Sequence, residues 1–208
     1  MKLLPNISLL EEYIDDYYSK NWSEKLTYHN LEHVKDVFNA SMLYAKIARF
    51  SDTDIKIIGA SALFHDIDMC NHYYGHELYS ANYAAQILPR FGFSEQHILN
   101  VKRTILSTCP SAVPCNNMEK LIRDCDLDYI GTDKYIRRCL DLKTEWENFG
   151  LFTFTNIGWY EYQLCFISKL KFNTFYVKNV RRKKIVQNID TLYALIDKER
   201  ALLSQSSN

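Results

Sequence analysis

The sequence predicts an all-α fold of about nine helices. Its 208 residues hold only six glycines and four prolines, little material for hairpin turns. Apolar residues recur at steps of three and four almost throughout, which is the helical period. Residues whose side-chain oxygens can accept from free amides stand ahead of several of these runs.

Leu9, Leu10, Tyr13, Ile14 and Tyr17 mark a first helix. Val34, Val37, Phe38, Met42 and Ala45 mark a second, and Asn30 is placed to cap it. Ser51-Asp52-Thr53-Asp54 starts a third, which runs through Ile55, Ile58, Ala62 and Leu63 and carries His65-Asp66 near its end. A polar and aromatic loop spans 67–75. A helix over 76–90 stops at Phe91-Gly92, and Ser94 caps the next, to about Ser107. Two prolines make 109–117 a loop. Helix returns over 118–130 and stops at Gly131, and Thr132 caps another to Phe149-Gly150. Two C-terminal helices follow, at about 159–172 and 175–203, and 204–208 is expected to fray. No repeat or linker divides the chain, so 1–208 reads as one domain with its motifs in 28–131 and helices over 132–203 completing it.

Lys+Arg and Asp+Glu balance at 25 each, so no strong field favours a stable nucleic-acid partner. No run approaches the roughly 20 apolar residues of a membrane span. Glu11, Glu12, Asp15 and Asp16 rule out a signal-peptide core, so the expected location is cytoplasmic. Six cysteines without a C-x-x-C pair are expected as free thiols, Cys125 and Cys165 as small core fillers. The composition leaves a homo-oligomer open.

The residues that carry chemistry are histidines and aspartates. His29 and His33 are four apart and share a helix face. His65 and Asp66 are adjacent, after the apolar run Ala60-Ser61-Ala62-Leu63-Phe64, and Asp126 follows Leu121 and Ile122. A lone histidine is most often a surface or satisfied core residue. Ionisable groups at the end of a buried helix, however, need partners. Two imidazoles and two carboxylates form an incomplete shell for a divalent metal, with positions left for water or phosphate.

Four segments, in order, resemble the HD superfamily of metal-dependent phosphohydrolases, in particular its small stand-alone members. They are Tyr28-His29-Asn30-Leu31-Glu32-His33, Ala62-Leu63-Phe64-His65-Asp66, Gly75-His76-Glu77-Leu78-Tyr79-Ser80-Ala81, and Asp124-Cys125-Asp126-Leu127-Asp128-Tyr129-Ile130-Gly131. Together they cover about 28–131. The resemblance implies a compact HD-domain helical fold and assigns one divalent ion (Mn, Ni, Co, Zn, Fe or Mg) to His33, His65, Asp66 and Asp126. It prefers His33 to His29 and Asp126 to Asp124.

Some HD nucleotidases carry a glutamate three residues after His-Asp; here that position is Met69. Proton handling then falls to Asp68, Glu77 or His29. His76, at a helix start, and the cations Lys102 and Arg103 are expected on the substrate side. Trp159, Tyr160 and Tyr162 line a base-stacking pocket or belong to the core, and His72, Tyr73 and Tyr74 can form a lid. The implied activity is hydrolysis of a phosphomonoester or phosphodiester, on a nucleotide or another small phosphorylated metabolite. The alternatives are an HD-fold di-iron oxygenase and a non-catalytic module that senses metal or nucleotide.

Overall fold

A computed structural model describes residues 5–206. Met1 to Leu4, Ser207 and Asn208 lie outside the described residues, as does that part of the expected frayed end. The described residues form nine α-helices and no strand: α1 (Ile7–Asn21), α2 (Leu31–Ile47), α3 (Asp52–Phe64), α4 (His76–Ile87), α5 (Glu95–Leu106), α6 (Asn117–Asp126), α7 (Tyr135–Asn148), α8 (Asn156–Lys169) and α9 (Phe175–Ser206). Short 3-10 turns at Leu88–Phe91 and Asp128–Gly131 follow α4 and α6.

Capping chemistry starts most of these helices. Asn6 Oδ1 accepts from Leu9 N at 3.1 Å, Asn30 Oδ1 from His33 N at 3.1 Å, and Ser51 Oγ from Asp54 N at 3.1 Å. Each bond satisfies an amide that the helix itself leaves free. The Asn30 cap also fixes His33 in the first turn of α2.

α3 is buried without a break from Ile57 through Phe64. A helix that is apolar all round sits in the middle of its domain. α1, α2, α4, α5 and α6 pack around it in one core that includes Leu10, Val34, Phe64, Ala81, Val101 and Leu121. A second cluster unites α7, α8 and α9 through Tyr135, Trp159, Ile167 and Leu192, and it takes in Tyr28 and Tyr129. His33 and Asp126 each lie within five residues of members of both clusters, so the chemistry-bearing residues gather at the seam.

The end of α6 departs from the expected helix over 118–130. The α-helix stops at Asp126, and Leu127 (φ −96°, ψ 5°) leads into the 3-10 turn. Asp128 is buried and committed elsewhere: it accepts from Arg181 Nε at 2.7 Å, from Arg181 Nη2 at 2.6 Å and from Tyr44 Oη at 3.1 Å. Arg181 therefore turns inward. Thr132 does not cap α7. Its hydroxyl donates back to Tyr129 O at 2.8 Å, and the helix begins only at Tyr135. α8 starts earlier than expected because Thr155 caps it through Gly158 N at 3.1 Å. α9 continues to Ser206, past the expected end at 203. Cys125 is buried as expected, whereas Cys165 is exposed.

α9 is fastened to the end of α6 at several points. Asp124 accepts from Asn173 N and Thr174 N at 2.8 and 2.7 Å, and Asn188 Nδ2 donates to Ile130 O at 2.8 Å. Between them Gly131 meets Arg181: a Cβ at position 131 would lie 2.5 Å from Arg181 Cβ. Both atoms ride on backbone, so neither can rotate away. Gly131→Ala is expected to destabilise the fold by about 1–3 kcal/mol. Urea unfolding checks this, and an unchanged midpoint would show that the helices do not meet this closely.

Candidate metal centre

Four side chains from three places in the chain meet at one point. His33 comes from the first turn of α2, His65 and Asp66 from the end of α3, and Asp126 from the last residue of α6. His33 Nε2 lies 3.3 Å from His65 Nε2 and 3.1 Å from Asp126 Oδ1. Asp66 Oδ2 lies 3.3 Å from His33 Nε2 and 3.1 Å from His65 Nε2. His65 Nε2 is 3.6 Å from Asp126 Oδ1. His33, His65 and Asp66 are buried, and the Asp126 side chain retains 27% exposure, so the cluster opens to solvent at Asp126.

This donor set fits a cation. The His65 Nδ1 faces Ala62 O at 2.8 Å; a carbonyl only accepts, so Nδ1 carries the proton there. In the neutral ring Nε2 is then a bare lone pair, directed at His33 Nε2 and two carboxylates. Asp66 Oδ2 is buried and takes no hydrogen bond despite its two imidazole neighbours. A buried acceptor without a donor is costly, and a cation among these atoms would satisfy it. The ligand atoms of His33, His65 and Asp66 all lie within 4.8 Å of one another.

Electrostatics point the same way. Burial works against charge on His65, yet Asp66 and Asp126 hold its imidazole well above the usual range. His33 is likewise raised, against burial, by Asp126 and Asp66. Burial opposes charge on Asp66 too, but His65, with His33 and His76, holds its carboxyl well below the usual range. Burial opposes charge on Asp126 as well, yet His33 and His65 hold its carboxyl below the usual range. Positive charge is therefore favoured between the two carboxylates.

The fold is similar to that in the crystal structure of a predicted HD superfamily hydrolase from an uncultured Thermotogales bacterium. The TM-score is 0.53 and the identity 18%, over 79% of this chain and 93% of that one. This chain has the HD-domain fold. No protein-family model and no curated protein matches the sequence.

Around the HD centre, the other expected residues fall into three groups. His76 reaches it: Nε2 lies 3.1 Å from Asp66 Oδ1, opposite the oxygen that faces His33 and His65. Gly75 makes this approach possible, since its left-handed backbone (φ 73°) turns the loop into α4 just before His76. His29 stands beside the centre, its ring 5.7 Å from that of His33 and 6.5 Å from that of His76. Asp68 points into its own loop, where it accepts from Asn71 Nδ2 at 3.0 Å and from His72 Nδ1. Glu77 is buried, with Oε2 4.0 Å from His76 Nδ1. Met69 is buried and lines a cleft beside the centre.

Lys102 and Arg103 stand apart: neither is among the residues lining the two cavities beside the HD centre. Arg103 is an exposed side chain on α5, with Nη2 3.5 Å from Glu119 Oε1 at the start of α6. The aromatic trio also divides. Trp159 and Tyr160 are core, and only Tyr162 lines the cleft. His72 stacks on Tyr79 at 3.6 Å instead of covering the centre, while Tyr73 lines the cleft.

Two residues that sequence reasoning passed over support the site from α7. Glu145 is fully buried and accepts from Tyr28 N at 2.8 Å, His29 N at 2.9 Å, Tyr73 Oη at 2.9 Å and His29 Nδ1. Burial would raise its carboxyl, but His29 keeps it lowered. Arg138 is buried as well. Its Nη2 donates to Tyr28 O at 2.6 Å, and its guanidinium lies 4.5 Å from the centre of the Tyr28 ring. A signal existed: Arg138 and Glu145 fall on the stripe of α7 that also holds Tyr135, Cys139, Leu142 and Trp146. Charges within an apolar stripe imply buried partners.

Proposed function

We propose that the protein is a metal-dependent phosphohydrolase that cleaves a small phosphate ester, such as a nucleotide, with one divalent ion held by His33, His65, Asp66 and Asp126. The observation that carries this reading is the convergence of two imidazole nitrogens and two carboxylates, with Asp66 Oδ2 left unpartnered, inside an HD-domain fold. A divalent cation in such a set supplies charge that polarises a phosphoryl oxygen and acidifies water.

The chain's own residues have separable tasks. His76 steadies Asp66 from its second oxygen. Glu145 takes His29 Nδ1, which leaves His29 Nε2 free to hold or give a proton beside the cleft. Met69 keeps water out of the wall where a carboxylate would otherwise stand. Among the described residues one group of metal-competent donors is found, which favours a single ion over the di-iron oxygenase arrangement.

The test is a screen of the purified protein with Mn, Ni, Co, Zn, Fe and Mg against simple phosphomonoesters and phosphodiesters. Ester cleavage that chelator abolishes and one metal restores supports the reading. Two irons per chain with oxygen-dependent turnover, and no cleavage, would replace it with the oxygenase. Binding without turnover under every metal would leave the sensing module. Within this reading, His29→Ala is expected to keep the metal and lower kcat by about 100-fold. An empty site in that variant would instead make His29 a ligand.

A further inference from the structure

Two cavities of different character open on the HD centre. The first, about 430 Å³, is lined at the centre by His33 and Asp126. Its remaining charged residues are Asp36, Asp128, Asp133, Lys134 and Arg181. Both cations are already engaged, Lys134 with Asp36 at 2.7 Å and Arg181 with Asp128 at 2.6 Å. Asp133 is paired with Lys184, so this mouth offers a phosphate no free cation, and Tyr129 is the one aromatic ring besides His33 in its lining.

The second mouth, about 250 Å³, presents His29, His76 and Asp126 from the centre. Its walls are Tyr28, Tyr73, Tyr129, Trp146, Tyr162 and Phe166. No lysine or arginine lines it. Tyr162 is 40% exposed, its ring 5.7 Å from Trp146 and stacked at 5.6 Å on the buried Trp159, so its position is set from behind. Gln163 gives this wall a polar donor: Oε1 accepts from Tyr135 Oη at 3.1 Å, which leaves its Nε2 amide.

We propose that the substrate enters by this second mouth and that the group carrying its phosphate bears a flat, uncharged ring. The inference rests on the phosphohydrolase reading and adds to it the chemistry of the organic part. The metal site, with His29 beside it, takes the phosphate, and the aromatic walls take the ring by offset or edge contacts. A small ester without a ring would leave those walls wet, and a charged group would find no counter-ion there.

Calorimetric titration of the metal-loaded protein with 2-phenylethyl phosphate and with ethyl phosphate separates the contributions. Both esters carry the same phosphate on a primary carbon and differ in the ring. The expected Kd for the phenylethyl ester is about tenfold lower, as ring burial against aromatic walls gives. Tyr162→Ser, at a half-exposed position that tolerates change, is expected to shrink that ratio at least threefold while ethyl phosphate binds as before. Equal affinity for the two esters overturns the inference and leaves the hydrolase reading standing. Ring-dependent binding without cleavage under any metal overturns the hydrolase reading and keeps the cleft. No binding of either ester overturns both.

Discussion

Asp66→Ala is expected to empty the metal site while the helices stay formed. The Asp66 carboxylate faces three imidazoles: Oδ2 toward His33 and His65, Oδ1 toward His76. Losing it removes a charge and the bridge that holds His76 against the centre. Residues that merely support a ligand are each worth about 10- to 100-fold in metal affinity, so removal of a ligand is expected to exceed about 100-fold. Ester cleavage should fall with occupancy. Asp66 follows α3 rather than lying within its buried stretch, and the core around Phe64 does not depend on it. Metal analysis and circular dichroism on one sample provide the check. Full occupancy with native helicity would remove Asp66 from the ligand set. Asp66→Asn, which keeps the size, separates loss of charge from loss of packing.

The second large effect lies at a residue that touches no metal. Glu145→Ala leaves Tyr28 N, His29 N and the Tyr73 hydroxyl without their acceptor. Each unsatisfied buried group costs about 1–3 kcal/mol, so a loss of about 3–5 kcal/mol is expected, less whatever water repairs. The pH dependence has a definite sign. The Glu145 carboxyl is held below its ordinary 4.5, so its stabilisation is complete above that value. It fades as pH falls through the lower folded-state pKa. The gap between wild type and variant in urea unfolding should therefore be widest near neutrality and narrow below about pH 4. A gap independent of pH would show that the carboxylate charge is not what anchors His29. Turnover should fall as well, because His29 Nδ1 loses its partner; in a His29→Ala background the further loss from Glu145→Ala should be much smaller.

The helical class was legible because caps and apolar periods are local. Asn30, Ser51 and Ser94 each announce a helix within four residues of sequence. The convergence of the candidate ligands was legible for a related reason: His-Asp at the end of an apolar run and Asp126 after Leu121-Ile122 are local conflicts between charge and burial. Glu145 escaped because its partners lie 116 and 117 residues away, and only the stripe of α7 hinted at them. The placing of Lys102 and Arg103 was not legible, for the opposite reason. A cation's sign is in the sequence, but its direction depends on how α5 is rotated against its neighbours. The break of α6 at Leu127 was hidden because Asp128 is claimed by Arg181, 53 residues further on.

The alternating aspartates at the end of α6 have a last consequence. Asp126 faces the centre, while Asp124 and Asp128 on either side of it are held by Asn173, Thr174 and Arg181 of the final helix and its lead-in. Docking of α9 and capture of an ion at Asp126 thus share one short piece of backbone, and each favours the geometry the other needs. Such coupling is reciprocal. Loading the site with metal should slow proteolysis within α9, and loosening α9 through Arg181→Ala should weaken metal affinity. An equal cleavage rate in the loaded and stripped protein would show that the two events are independent.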